Sequence, residues 1–179
     1  KSTGEAIYNA IVWQDRRTAK RCENLQQNAD IAAKVTAKTG LLIDPYFSAS
    51  KIEWLLDNVA GARTKAEAGQ LCFGTVDTFL LWHLTEGKAF ATDASNASRT
   101  LLFNIVENCW DQELLALFNI PQAMLPEVKN SADHIGQTPR HLFGGSIAIN
   151  AMIGNKQASL VGQKKKKKGM MKGTYGTGC

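Results

Sequence analysis

The first apolar run, "AIYNAIVW" over 6–13, reads as a buried strand that enters a polar turn. Beyond the turn, "RTAKRCENLQQNADIAAKVTAKTG" predicts a helix, with Gly40 placed to stop it. "GLLIDPYF" bends at Asp44-Pro45, and "SASKIEWLLDNV" then sets Ile52, Leu55, Leu56 and Val59 at helical spacing behind a capping Ser48. "FGTVDTFLLWHLTEG" repeats the form, with Val76, Phe79, Leu80 and Leu84 on one face and Gly87 at its end.

The middle of the chain changes character. "ATDASNASRTLLFNI" is rich in small hydroxyl and amide residues ahead of an apolar run, which predicts a loop leading to a strand. "CWDQELLALF" is a short helix, and the two prolines of "IPQAMLPEV" mark a bend. In the last section "GSIAINAMIG" alternates into a strand, "NKQASLVGQ" is helical, and "GMMKGTYGTG" is a strand ending in a glycine turn. Strand and helix alternate, so the fold class is α/β, with no internal repeat and no linker.

Composition agrees with a packed domain. A chain of 179 residues with 44% hydrophobic and 21% charged content is large enough for one sizeable core and is neither disordered nor fibrous. The formal charge of +5 resides in one place, because without Lys164 to Lys168 the remaining 16 Lys and Arg balance the 16 Asp and Glu. A nucleic-acid binder spreads basic residues along a face with aromatics between them, and the rest of the chain does not. The lysine run alone leaves open a solvated loop or a basic binding module.

The four cysteines, Cys22, Cys72, Cys109 and Cys179, have neither disulfide-framework nor zinc spacing, which points to free thiols in a reducing, cytoplasmic setting. No apolar stretch approaches the ~20 residues of a membrane span. His83, His134 and His141 share no register with each other or with a cysteine or carboxylate, so neither a metal site nor a catalytic triad is expected.

Trp13, Tyr46 and the turn "GNKQ" over 154–157 each stand at the mouth of an element, where α/β folds place ligand contacts. An aromatic there either closes the core or meets a ligand. The polar neighbours Gln14, Asp15, Arg16 and Arg17 favour a small polyol. The terminal "GTYGTGC" offers backbone amides and two threonines at a strand-to-turn junction; it lacks the spacing of a P-loop or a dinucleotide turn, and reads either as a structural glycine turn closing a strand or as a phosphate contact.

The segment "YFSASKIEWLLDN", with Tyr46, Ser48, Lys51, Trp54, Asp57 and Asn58 in place, resembles the N-terminal signature of the FGGY carbohydrate kinases. "NAIVWQDRRT", "GLLIDPYFS", "FGTVDT", "TDASNASRTLLFNI", "MLPEV" and "TYGTGC" are similar to the glycerol-phosphorylating branch rather than to the xylulose or gluconate kinases. The resemblance runs the whole length. It implies an incomplete α/β domain of the ribonuclease-H-like, actin-like ATPase type, transfer of the ATP γ-phosphate to glycerol with Mg2+, and a homo-oligomeric full-length enzyme. It further implies that 1–179 is part of the N-terminal kinase domain, inactive alone, with the first phosphate-loop segment and the C-terminal domain outside it.

Carried over by position, Trp13 resembles the aromatic that packs on the glycerol carbons and Tyr46 the phenol that bonds a hydroxyl. Gly176, Thr177 and Gly178 resemble the second phosphate loop. The chain departs from the family at "GNKQ", where members read G-D-Q-[QS]. Asn155 stands at the position of the aspartate base and Lys156 at that of a glycerol-contacting glutamine. An amide cannot accept the hydroxyl proton, which makes a non-catalytic relative that binds a polyol or a protein partner the alternative expectation.

Overall fold

The sequence reads one long helix before Gly40, and the computed structural model, which describes residues 1–163 and 169–173, divides it in two. Helix α1 spans Ala19–Gln26 and α2 spans Ala29–Thr39. Asn28 makes the break: its extended backbone lets its side chain accept from the N–H groups of Asp30 and Ile31, so a second helix starts there. Gly40 ends α2 as expected, at φ 70, and returns its N–H to the Thr36 carbonyl.

Helix α3 spans Ser48–Asn58, with Phe47 rather than Ser48 at the cap position and no side-chain capping bond. Its predicted face holds in part: Ile52 and Leu56 are buried, and Leu55 and Val59 are half-buried. Helix α4 is Ala62–Glu67 and α5 is Val76–Leu84. Strand β1 (Ala91–Asp93) runs straight into α6 (Ala94–Ala97), where the sequence predicts a loop. Strands β2 (Phe103–Asn104) and β3 (Cys109–Trp110) form an antiparallel pair before α7 (Gln112–Leu117). A 3-10 turn at Gln122–Met124 leads to β4 (Glu127–Lys129), which pairs in parallel with β1. Strand β5 (Ala132–Gln137), α8 (Arg140–Phe143), β6 (Ala148–Ala151) and α9 (Asn155–Gly162) complete the described elements, with β5 and β6 antiparallel.

Two apolar clusters hold these elements. The larger gathers α1 to α4, α7 and the strand β2 approach, with Val35, Leu102 and Phe118 wholly buried. The smaller comprises Leu81, Ala91 and Ile135, with Ala89, Ile149 and Met152 packed against it. The helices therefore share a deep core, whereas the outer strands rest on a thin one.

Two further sequence expectations fail. Residues 6–13 form no strand, and most are exposed, because among the described residues no strand lies beside them to complete a ladder. Side chains anchor the segment instead, as described below. In α5 the covered face is Thr78 and Leu81, continued by Thr85 just past its end, whereas Val76, Phe79 and Leu80 are 74%, 57% and 52% exposed. Periodicity identified the helix but not the side that its neighbours cover. The Thr78 hydroxyl is buried without a hydrogen-bond partner among the described residues, and that of Thr85 donates back to the Leu81 carbonyl.

Candidate functional site

Trp13 and Tyr46 come together although they stand 33 positions apart in the chain. Their ring centroids lie 5.6 Å apart at 54°, and both rings are more than a third exposed. Large aromatic faces open to solvent are costly unless something covers them, so the pair offers an apolar wall beside a phenol hydroxyl.

The wall stands on a fixed base. Lys51, on α3, is 6% exposed and donates its ammonium to the Val12 carbonyl at 2.7 Å and to the Tyr46 carbonyl at 3.5 Å. One charge thus ties down the backbone next to both rings. Burial pushes the Lys51 pKa down, partly opposed by the Asp15 and Asp44 carboxylates. Asp44 accepts the Tyr46 N–H at 2.7 Å, which forms the turn that aims the phenol. Phe47, behind Tyr46 at 5.1 Å edge to face, packs under the Arg99 guanidinium.

Arg17 secures the other side. It forks onto Asp15 through two bonds of 2.9 Å, lies 4.5 Å over the Trp54 ring, and donates to the Tyr8 hydroxyl. The Arg17 guanidinium, helped by the Arg17 backbone N–H, lowers the Asp15 carboxyl to about 2, and that contact raises the Arg17 pKa. The signature residue Trp54 therefore serves as the platform for this cation.

Asn155 and Lys156 open helix α9 and are both exposed. Among the described residues no hydrogen bond, ion pair or ring contact joins them to Trp13 or Tyr46, so the structure brings the aromatic pair together and leaves the "GNKQ" turn as a separate group. The turn is tied elsewhere. The Gly154 N–H donates at 2.7 Å to the Ser95 hydroxyl, which in turn donates at 2.6 Å to the buried Asp93 carboxylate. Burial raises the Asp93 pKa, but bonds from Ser131, Ser95 and Asn96 outweigh it and hold the carboxyl below its ordinary range.

Gly176, Thr177 and Gly178 lie outside the described residues, as do Lys164 to Lys168. Among the described residues no group of three His, Cys, Asp or Glu side chains is placed to hold a metal ion. The histidines are exposed: His134 meets Asn150, His141 meets Glu86, and His83 meets the Phe79 ring. Cys22, Cys72 and Cys109 are free thiols, and no described helix is long and apolar enough to cross a membrane.

Sequence reasoning missed Asp93 and Ser95. The signal was present in "TDASNA", since an Asp two and three residues ahead of Ser and Asn caps a helix start, as Asp93 does for α6. Reach from that cap to residue 154 has no local signature.

Residues 1–162 match the FGGY family of carbohydrate kinases, N-terminal domain. The chain is 60% identical over 179 residues to the glycerol kinase of Allorhizobium ampelinum, covering 100% of this chain and 36% of that protein. It is 59% identical over 177 residues to that of Rhodopseudomonas palustris, covering 99% of this chain and 35% of that protein. It thus spans about a third of the length of these curated relatives. A crystal structure of Plasmodium falciparum glycerol kinase with ADP superposes with a TM-score of 0.85 at 35% identity, covering 90% of this chain and 32% of that one. A xylulose kinase structure from Brucella ovis, at 21% identity and a TM-score of 0.74, shares the fold. The chain belongs to the FGGY family of carbohydrate kinases, and it carries that family's N-terminal domain in a mixed α/β fold.

Proposed function

We propose that this chain supplies the polyol-binding side of an ATP-dependent glycerol kinase, which phosphorylates glycerol to glycerol 3-phosphate. The observation that carries this reading is the Trp13–Tyr46 pair, an apolar face beside a phenol hydroxyl, held by the buried Lys51. Glycerol has a short carbon edge and three hydroxyls. Trp13 takes the carbons and Tyr46 bonds a hydroxyl. Identity of 60% to a glycerol kinase across the whole chain supports the same substrate.

Asn155 occupies the position that faces the attacking hydroxyl. Its amide accepts a hydrogen bond and orients the nucleophile, but it cannot take the proton; a positioned base is worth about 10²–10⁴ in rate. Lys156 places an ammonium beside it. Gly176, Thr177 and Gly178 form the second phosphate loop in this reading. ATP as donor is supported by the ADP in the Plasmodium falciparum structure. Magnesium, when bound, would neutralise charge on the transferring phosphates.

In the same reading 1–179 is part of the N-terminal kinase domain of a cytoplasmic, homo-oligomeric enzyme. The first phosphate loop and the ATP-binding domain then lie in other segments, and the 179-residue chain alone turns over no ATP in response to glycerol. A second reading, a non-catalytic relative that binds a polyol or a protein, is favoured by Asn155 and Lys156 alone.

The test grafts residues 1–179 into the Allorhizobium ampelinum glycerol kinase in place of its own matching segment. Asn155→Asp should raise kcat by about two to four orders of magnitude, equivalent to about 3 to 5 kcal/mol of barrier, with a smaller change in glycerol affinity. Adding Lys156→Gln should raise it further, because a nearby ammonium weakens the carboxylate as a base. Equal kcat in all three proteins would put Asn155 outside the catalytic position and leave the non-catalytic reading.

A further inference from the structure

Asp93 is the deepest charged group among the described residues, at 0% exposure, and no role in the reaction accounts for it. Its carboxylate gathers five donors. Oδ1 accepts from the Asn96 backbone N–H and side-chain amide, and Oδ2 accepts from the Ser95 N–H, the Ser95 hydroxyl and the Ser131 hydroxyl. Capping the four-residue α6 needs only the two backbone bonds. The three side-chain donors reach further.

Two of them lead to one place. Ser95 passes its proton side to Asp93 and accepts the Gly154 N–H with its lone pair. A hydroxyl whose hydrogen is engaged by a carboxylate is a stronger acceptor, so the buried charge is felt at Gly154. Ser131 donates its hydroxyl to the same oxygen, and its backbone carbonyl accepts the Met152 N–H at 2.9 Å. The chain entering α9 is therefore held at Met152 and again at Gly154, on either side of Ile153. Two fixed points set its direction as well as its place.

The fit at Gly154 is close. A Cβ there would lie 2.6 Å from the movable Gln157 Oε1 and 3.3 Å from the Ser95 hydroxyl, so the backbone at Gly154 sits close on Ser95. The Asn155 residue is exposed, and its side chain makes no hydrogen bond among the described residues. Its position is inherited from the backbone before it.

We propose that Asp93 and Ser95 are positioning residues for residue 155, a clamp that holds the Met152–Gly154 backbone and so presents that side chain to the reacting hydroxyl. The proposal rests on the reading of residue 155 given under Proposed function. A group that acts on geometry alone should change turnover without changing how tightly substrate is held.

Two measurements on Ser95→Ala, with Ser95→Thr as the conservative control, test it. In the 179-residue chain, amide hydrogen exchange should accelerate about ten- to hundredfold at Gly154 and should stay unchanged at buried Val35; Ser95→Thr should keep the slow exchange. In the grafted Asn155→Asp kinase, Ser95→Ala should lower kcat about tenfold at an unchanged glycerol KM, and Ser95→Thr should restore it. Unchanged exchange at Gly154 overturns the clamp. Faster exchange with unaltered kcat, in a kinase that does respond to Asn155→Asp, overturns its role in the reaction. If Asn155→Asp itself has no effect, the reading of residue 155 fails while the clamp, shown by exchange and rescued by threonine, stands. Asp93→Asn, if it folds, should match Ser95→Ala at Gly154.

Discussion

The Lys51 ammonium donates to the Val12 carbonyl 39 residues away at 2.7 Å, and this one bond fixes the backbone next to Trp13. The same nitrogen reaches the Tyr46 carbonyl, so the signature helix α3 ties down the backbone beside both aromatic rings.

Lys51→Met should therefore lower stability by about 1–3 kcal/mol, the range for a lost bond to a charged group. Trp13 should gain freedom as well. Urea unfolding measures the first effect and time-resolved fluorescence anisotropy the second; a variant that melts earlier with Trp13 still rigid would assign the anchoring to Arg17 instead.

In the grafted kinase, Tyr46→Phe should raise the glycerol KM about three- to tenfold with little change in kcat, because a neutral hydrogen bond made equally in ground and transition states is lost. Trp13→Ala should raise KM further. Steady-state kinetics in glycerol distinguishes them, and a kcat-only effect would remove both rings from the binding wall.

Asp111 governs the acid side. Burial raises its pKa, but bonds from Lys38 at 2.8 and 3.0 Å, from Asn104 and from the Leu114 N–H outweigh it, and the carboxyl sits below its ordinary 3.8. Asp93 is lowered likewise. A carboxyl depressed on folding binds fewer protons folded than unfolded, so its stabilisation is complete above pH 3.8 and fades as the pH falls through the lower folded value. Stability should thus drop steeply below about pH 4, and Asp111→Asn should flatten that limb while lowering the plateau above it. Denaturant midpoints at a series of pH values would show a parallel shift instead if the charge is immaterial.

The two phenylalanines of opposite burial give a test of the fold. Phe118→Ala empties a wholly buried site and should cost about 3–5 kcal/mol. Phe79→Ser, on the uncovered side of α5, should stay within about 0.5 kcal/mol. A large loss at Phe79 would mean that this side is covered in solution.

Much of this was legible in the chain. Gly40, the α3 register at Ile52 and Leu56 and the short α7 all follow from local spacing. What escaped depends on distant partners. The outward turn of Val76, Phe79 and Leu80 is decided by what lies over α5, and the exposed state of 6–13 by the lack of a neighbouring strand among the described residues. Asn28 was a local miss, an amide that starts a helix where the apolar period runs on. Asp93 escaped because a carboxylate held by hydroxyls and amides has no spacing that distinguishes it from an ordinary cap.

The separation of the two apolar clusters has a consequence for cooperativity. Helix α3 and the turn before it, which carry Lys51 and Tyr46, lean on the large cluster, whereas the approach to Asn155 through β5 and β6 leans on Leu81, Ala91 and Ile135. A chain with so unequal an allotment melts in stages, and its calorimetric enthalpy should exceed the van't Hoff value. The Trp13–Tyr46 pair should then outlast the turn at Asn155 on heating, so that order around the aromatic rings persists over a temperature interval in which residues 154–157 have already come loose.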